Sequence, residues 1–255
     1  MVGAPMDSGR HSRNWFAQGG EAYARFRPTY PPELACFLAG LVPGRQLAVD
    51  VGCGSGQLTG LLGEHFGKVL GLDPSAAQLA HAAPHPRVEY ACAPAERLPV
   101  ADGSASLITV AQAAHWFDLP RFYAEVRRIA APGAVLALIS YGVPCLDEEL
   151  NARFGHFYAD EIGPFWPAER KLVDGGYAEL PFPFDEQVAP AMEIRAAWKL
   201  EELLGYISTW SAVRKAHEAG HEKLLSTFAT DLAALWGDPA RRRDIRWPIN
   251  MRLGR

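Results

Sequence analysis

Short apolar runs and amphipathic segments alternate along the chain from about residue 46 to residue 141. Runs that suit buried strands cover residues 46–51, 68–72, 87–92, 106–111 and 134–140. Segments with apolar residues at helical spacing lie between them, at 57–66, 75–83 and 119–130. Nearly continuous apolar strands are typical of a parallel sheet that helices cover on both faces. The pattern therefore predicts a doubly wound α/β fold with right-handed crossover connections.

The pattern changes after residue 142. Residues 143–186 contain many prolines and aromatic side chains, which favours a helical insertion after strand five. The later segments are a strand at 188–198, helices at 200–211 and 222–236, and a last strand at 246–253. Pro248 places this last strand near a sheet edge, because proline cannot donate to a strand ladder. Together these segments predict a seven-stranded, mostly parallel sheet.

We expect residues 1–255 to form a single domain. Its predicted parts are an N-terminal leader and lid (1–32), a cofactor-binding core (33–142), the insertion (143–186), and the C-terminal helices with the final strand (187–255).

Composition and charge narrow the class of protein. A formal net charge of −4 provides no long-range attraction to nucleic acid, and no run of 18 apolar residues is present to span a membrane. The first 13 residues lack the apolar segment of a secretory signal. Four scattered cysteines suit a reducing compartment. We therefore expect a cytoplasmic protein that acts on a small molecule, with neither nucleic acid nor a membrane as partner. The oligomeric state is not predicted.

A glycine turn follows the first predicted strand. Gly52, Gly54 and Gly56 stand at alternate positions, where the absence of a Cβ lets the backbone curl tightly and approach a ligand. The helix that follows directs its free N–H groups toward this turn. The arrangement predicts a nucleotide-sized pocket at the carboxyl end of the first strand.

The glycine spacing distinguishes between classes of nucleotide pocket. A dinucleotide fingerprint requires glycine at position 57, where the chain has Gln57, and no P-loop motif is present. Asp73 ends the second strand, where an acid accepts hydrogen bonds from a ribose or caps the next helix. Nicotinamide-dependent oxidoreductases use the same acid. Such an oxidoreductase therefore remains an alternative, as does a cofactor-binding protein without transferase activity.

Several stretches of sequence, including residues 23–31 and 122–136, carry a resemblance to a known family. The motif from Asp50 to Gly56 resembles motif I of class I S-adenosylmethionine-dependent methyltransferases, which have a Rossmann-like fold. Residues 92–118, ending in Ala111-Gln112-Ala113-Ala114-His115-Trp116-Phe117-Asp118, resemble the adenine-binding loop and strand-four region of the type 11 small-molecule members. Within these, the trans-aconitate methyltransferase-like branch is the most similar. The resemblance covers roughly residues 15–141.

The resemblance implies a methyltransferase that uses S-adenosylmethionine and methylates a small molecule, for which we expect a carboxylate or hydroxyl acceptor, with a nitrogen or carbon acceptor as the alternative. It further implies a set of cofactor-binding residues, which are Tyr23, Arg27, Asp50, Gly52, Cys53, Gly54, Gly56, Asp73, Pro74, Ala95, Glu96 and Gln112. Arg27 suits the carboxylate of the cofactor, because a guanidinium binds a carboxylate through two parallel hydrogen bonds.

His115 and Trp116 are the candidate catalytic residues, because they follow strand four at the carboxyl edge of the sheet. A histidine with a near-neutral pKa accepts a proton from an acceptor hydroxyl, whereas with a carboxylate acceptor it would orient the substrate. A purely structural histidine is the third interpretation. The Trp116 ring would attract a sulfonium cation.

Substrate contacts are predicted in the region after strand five. The candidates are Tyr141, Trp166 and Arg170, with His156 and Tyr158 in the same wall. An aromatic packing cluster is the alternative interpretation of these residues.

One motif suggests a different chemistry. The segment from His217 to His221 matches the H-E-x-x-H signature of zinc proteases. Gly220 weakens the continuous helix that this site requires, and the usual spacing of a third ligand is absent. We therefore predict no metal site here.

Overall fold

The computed structural model describes residues 27–255 of the chain. These residues contain eight strands, namely β1 (Leu47–Val51), β2 (Lys68–Asp73), β3 (Val88–Cys92), β4 (Ala105–Ala111), β5 (Ala130–Tyr141), β6 (Glu186–Gln187), β7 (Met192–Trp198) and β8 (Arg243–Gly254). The α-helices of this region are α1 (Pro32–Gly40), α2 (Gln57–Gly63), α3 (Ala76–Leu79), α4 (Leu119–Ile129), α5 (Glu148–His156), α6 (Arg170–Asp174), α7 (Leu200–Ser208), α8 (Ser211–Glu218) and α9 (Lys223–Trp236).

The strands form one mixed sheet in the order β3-β2-β1-β4-β5-β8-β6. The first five pair in parallel, and β8 pairs antiparallel to β5. Strands β6 and β7 pair with different parts of β8, at residues 253–254 and 243–249, so they share one edge position. The sheet therefore has seven strand positions, which confirms the predicted mostly parallel, Rossmann-like fold.

Apolar side chains cover both faces of the sheet, as the continuous apolar strands predicted. One cluster packs α1, α2, α5, α7 and α9 against the first face. A second cluster packs α4 and the segment after β3 against the other face. Hydrophobic burial on two sides holds the carboxyl ends of the parallel strands in place, and these ends position the site.

Several boundaries differ from the predictions. The helix predicted at 75–83 is regular only at Ala76–Leu79, and the one predicted at 200–211 ends at Ser208. Helix α8, which was not predicted, begins after Trp210, whose backbone is extended. Strand β5 begins four residues before the predicted 134. The register of its pairing with β4 shifts between Ala130 and Val135, a segment in which Gly133 has a φ of 76°.

Strand β8 lies one position in from the edge, although it contains Pro248. Pro248 stands where the β5 ladder ends, beyond the last pair of Tyr141 with Ile249, and its carbonyl accepts from the Gly142 N–H. The N–H that proline lacks is therefore missing at a ladder end rather than within the ladder. Within residues 27–255, no helix is long and apolar enough to cross a membrane.

Candidate active site

The glycine turn after β1 has a backbone that only glycine adopts readily. Gly52, Gly54 and Gly56 have φ values of 70°, 57° and 80°. A Cβ on Gly52 would lie 2.5 Å from the Ala113 Cβ, and one on Gly56 would lie 2.2 Å from the Tyr90 hydroxyl oxygen. A Cβ on Gly54 would meet none of residues 27–255 within 4 Å. The outer glycines therefore pack against protein, and Gly54 borders space that the described residues leave open.

Asp73 at the end of β2 holds this turn in place. Its Oδ2 accepts from the Gly54 N–H at 2.9 Å, and its Oδ1 accepts from the Ser75 N–H at 2.8 Å. Burial raises the pKa of Asp73, while these two N–H donors oppose the shift. The N-cap of α3 is Ser75, whose hydroxyl accepts from the Gln78 N–H, so Asp73 does not cap the helix. The carboxylate thus lies beside Gly54, with Pro74 exposed next to it.

Asp50 lies beneath the turn and does not face an open pocket. It is 1% exposed, and its two carboxylate oxygens accept from the hydroxyls of Thr59 (2.6 Å) and Thr109 (2.7 Å). Burial raises the pKa of Asp50 to about 6. These contacts join α2 to β4, so we revise the role of Asp50 from cofactor contact to support of the turn.

The Cys53 side chain also belongs to the support of the turn. Its thiol contacts the Gly54 carbonyl oxygen at 3.8 Å, and burial raises the pKa of the thiol well above its usual range. A protonated, buried thiol is a packing group rather than a nucleophile.

The loop after β3 carries the two residues predicted to border an adenine. Ala95 is buried in the second hydrophobic cluster. The Glu96 carboxylate accepts from the Asp118 N–H at 2.9 Å, which ties this loop to the start of α4. The loop is therefore anchored next to the end of β4.

Gln112 follows β4 with a φ of 58°, an uncommon value for a residue other than glycine. Its backbone N–H donates to the Ile139 carbonyl at 2.8 Å, and its Nε2 donates to the Tyr141 carbonyl at 3.0 Å. The buried Oε1 has no hydrogen-bond partner among residues 27–255. Two hydrogen bonds therefore hold a strained residue that keeps an acceptor available.

A cleft of about 560 Å³ extends from Gln112 and Gln78 toward the C-terminal helices. Its aromatic walls are Trp116, Trp166 and Trp210. Four cationic side chains of the described region line it, against the single acid Glu218, and these are Arg27, Arg170, Arg214 and Lys215. Apolar walls with a positive charge balance suit a small anionic ligand.

His115 lines this cleft from the 3₁₀ turn Ala114–Trp116. Its Nδ1 lies 2.9 Å from the Tyr177 hydroxyl oxygen, and its ring centroid lies 4.7 Å from that of the half-exposed Trp116. Burial, together with the nearby Arg170 cation, lowers the pKa of His115 to about 3. The expectation of a near-neutral pKa was therefore wrong, and His115 is neutral at physiological pH.

Arg170 is held rigidly at the wall of the cleft. Its Nε donates to the Tyr158 hydroxyl and to Asp174 Oδ1, both at 2.9 Å, and its guanidinium lies 4.7 Å from the Trp166 ring. The two terminal nitrogens donate no hydrogen bond to any residue in the described part of the chain. They are therefore available to a ligand.

The other predicted contacts have different positions. Tyr141 is buried behind the cleft, where its hydroxyl accepts from Arg27 at 3.2 Å. The His156 ring is largely exposed and pairs with Asp160 at 2.8 Å, so its placement in the substrate wall was wrong. Tyr23 lies outside the described residues.

Sequence reasoning missed three contributors to the site, Tyr177, Trp210 and Arg214. Tyr177 reaches His115 from the segment after α6, with a φ of 63° directly after Gly176. Trp210 and Arg214 lie one helical turn apart at the start of α8. The pair Gly175-Gly176 was the one signal that marked a turn near Tyr177.

The H-E-x-x-H segment does not form one helical face. Helix α8 ends at Glu218, and Gly220 has a φ of 81°. His217 lines the cleft, whereas His221 packs on Phe165 with ring centroids 5.3 Å apart. In the region that the structure describes, no group of three or more His, Cys, Asp or Glu residues is arranged to hold a metal ion.

The model of a methyltransferase domain family matches residues 49–138. A candidate methyltransferase of Dictyostelium discoideum is 34% identical over 248 residues, which cover 94% of each chain. A trans-aconitate 2-methyltransferase of Deinococcus radiodurans is 38% identical over 160 residues, which cover 56% of this chain and 60% of that protein.

One solved structure agrees over nearly the whole fold. It belongs to a candidate type II methyltransferase from Anaeromyxobacter dehalogenans. The two chains are 45% identical with a TM-score of 0.85, and the alignment covers 90% of this chain and 98% of that one.

Proposed function

Because the chain belongs to the class I S-adenosylmethionine-dependent methyltransferases, its cofactor is S-adenosylmethionine, and we propose that it methylates a small anionic molecule at a carboxylate oxygen. The family assignment removes the support for a nicotinamide-dependent oxidoreductase. When bound, the cofactor supplies a methyl group whose transfer to oxygen breaks the sulfur–carbon bond and leaves the electron pair on sulfur. The chain's own residues supply binding, orientation and exclusion of water.

Three features of the glycine turn region support its role in holding the cofactor. Gly54 borders space that the described residues leave open, Asp73 is anchored beside it as an acceptor for ribose hydroxyls, and the buried Gln112 Oε1 is available to an ammonium donor. The residues present therefore fit the group. In this proposal Arg27 pairs with the cofactor carboxylate, and Ala95 and Glu96 border the adenine.

Arg170 is the observation that carries the proposal for the substrate. A guanidinium with its Nε occupied and both terminal nitrogens available matches the two oxygens of an anionic group. The surrounding cleft holds four cations and one acid among its described lining residues. Trp166 and Arg170 come from the insertion 143–186, which in this proposal forms the acceptor wall.

The low basicity of His115 favours a carboxylate over a hydroxyl group as the methyl acceptor. A histidine with a pKa of about 3 is a weak base and does not remove a proton from an alcohol or phenol efficiently at neutral pH. A carboxylic acid is already ionised there and needs no base. Alignment and a water-excluding cleft then supply the rate enhancement.

The experiment is a turnover screen of the purified protein with a methyl-labelled donor. We expect label to enter small carboxylic acids and to be released as methanol by mild alkali, because methyl esters hydrolyse under conditions that leave methyl ethers and methylamines intact. Phenols and amines of the same size serve as matched acceptors. Alkali-stable label on phenols or amines, with none on acids, would overturn the proposal.

A further inference from the structure

Tyr177 is built into the site more firmly than a packing residue requires. Its side chain is fully buried, and both Tyr177 and the preceding Gly176 have a φ of 63°. Arg252 from β8 donates to the Tyr177 carbonyl at 3.1 Å and to the Leu180 carbonyl at 2.6 Å. Its guanidinium also pairs with both carboxylate oxygens of Glu186. This clamp holds a strained segment that aims one hydroxyl at His115.

The surroundings of the Tyr177 hydroxyl determine which atom carries the hydrogen. The Tyr177 side chain is buried, and its hydroxyl makes one hydrogen bond to the residues that the structure describes, with His115 Nδ1 at 2.9 Å. If Nδ1 carried the hydrogen, the phenol O–H would be a buried donor without an acceptor in this region, an arrangement that folded proteins rarely contain. The phenol hydrogen therefore donates to His115 Nδ1.

A neutral imidazole that accepts at Nδ1 carries its hydrogen on Nε2. Nε2 makes no hydrogen bond to the residues that the structure describes, and the ring lines the cleft. The charged group that faces the ring is Arg170 from α6, which disfavours a second proton on the imidazole. The Tyr177 phenol keeps its proton because burial raises its pKa far above the usual range.

We propose that Tyr177 is a positioning residue that holds His115 as the Nε2–H tautomer, so that His115 donates a hydrogen bond to one oxygen of the acceptor carboxylate. The other oxygen of that carboxylate then forms the new bond to the methyl carbon, and no proton moves to or from the histidine. This role rests on the proposed carboxylate methylation, whereas the tautomer itself depends only on the contacts around Tyr177.

The first test measures the tautomer directly. Long-range ¹H–¹⁵N spectra of the full chain with labelled histidine distinguish a protonated Nε2 from a protonated Nδ1, and loss of a signal in H115Q assigns it. We expect protonation at Nε2 in the wild type and a mixture of tautomers in Y177F. The matched control is Y123F, because Tyr123 is also buried and its hydroxyl donates to the Pro181 carbonyl, away from His115. Protonation at Nδ1 in the wild type would overturn the proposal.

The second test separates a hydrogen-bond donor from a base or a packing group. The glutamine in H115Q can place an N–H near the position of Nε2, whereas the asparagine in H115N matches Nδ1. We expect H115Q to retain kcat/KM within about tenfold and H115N to lose about 10- to 100-fold, the range for a hydrogen bond to a charged group. We expect kcat/KM of the wild type to stay flat between pH 6 and 8. Equal loss in both variants, or a wild-type titration near neutral pH, would contradict the donor role.

The two proposals fail in different ways. If acids are not methylated but Nε2 carries the hydrogen, the proposed carboxylate acceptor is wrong, and the proposal that Tyr177 holds the Nε2–H tautomer remains. If acids are methylated and Nδ1 carries the hydrogen, the proposed tautomer is wrong, and the proposed methylation of carboxylates remains. Should Y177F not fold, the wild-type spectrum alone decides the tautomer.

Discussion

In the site that we propose, the cofactor side and the acceptor side are built in opposite ways. The cofactor side depends mainly on the backbone, with three left-handed glycines at one strand end and an anchored acid at the next. The acceptor side depends on side chains brought together from the turn after β4, from α6 and from α8, which are far apart in sequence. A backbone site tolerates little change, whereas a side-chain site can be altered without altering the fold. One scaffold can therefore serve different methyl acceptors.

The largest effect that we expect comes from a substitution in the glycine turn, where the site depends on the backbone. The substitution G56A adds a Cβ at a φ of 80° and at 2.2 Å from the Tyr90 hydroxyl oxygen. We expect a loss of at least about 2 kcal/mol in the free energy of unfolding, together with loss of cofactor binding. Urea unfolding and calorimetric titration with S-adenosylhomocysteine measure the two quantities.

Gly60 supplies the matched control for this substitution. It lies in α2, and a Cβ there meets no atom of the described residues within 4 Å. We expect G60A to be neutral or to stabilise the protein by up to about 1 kcal/mol, because alanine favours a helix over glycine. Equal destabilisation by G56A and G60A would contradict the backbone account.

A smaller effect tests the side-chain half of the comparison. We expect R170Q to raise KM for the acid substrate by roughly 10- to 100-fold, because it removes a charge-assisted pair of hydrogen bonds. Cofactor affinity should stay unchanged, since Arg170 lies on the acceptor side. Steady-state kinetics with each substrate varied in turn separates the two.

The neighbouring exposed Lys171 offers a charge-matched control, K171Q. If R170Q and K171Q raise KM equally, general attraction of anions explains the effect, and Arg170 is not a specific contact. Weakened cofactor binding in R170Q would instead mean that the two sides are coupled.

The smallest effect concerns the support beneath the turn. Folding raises the pKa of Asp50 from 3.8 to about 6, so between these values the folded state binds more protons than the unfolded state. Stability due to this group therefore falls as pH rises, by about 1–2 kcal/mol between pH 4.5 and 6. Urea unfolding across this range should show the stability of the wild type falling relative to that of D50N as the pH rises. An identical slope in both proteins would show that Asp50 does not titrate there.

Sequence reasoning succeeded where function follows from local backbone geometry. The spacing of Gly52, Gly54 and Gly56 predicted a turn that the structure shows with three positive φ angles, and the alternation of apolar runs predicted the parallel core. Prediction from the sequence failed for side-chain properties that depend on the surroundings in the folded protein. A near-neutral pKa for His115 was expected because residue type alone says nothing of burial or of the Arg170 cation.

Strand periodicity and glycine spacing act over a few residues, so the sequence predicted the fold class and the glycine turn, and the family followed from the resemblance carried by residues 50–56 and 92–118. The folded chain was needed to show that the Asp50 carboxylate accepts from Thr59 and Thr109 beneath the turn, that His156 is largely exposed, and that Tyr177 meets His115 across 62 positions. Those contacts depend on how the segment after α6 packs against the end of β4. Contacts between residues so far apart in sequence depend on burial and hydrogen bonding throughout the folded chain, and no local sequence pattern predicts them.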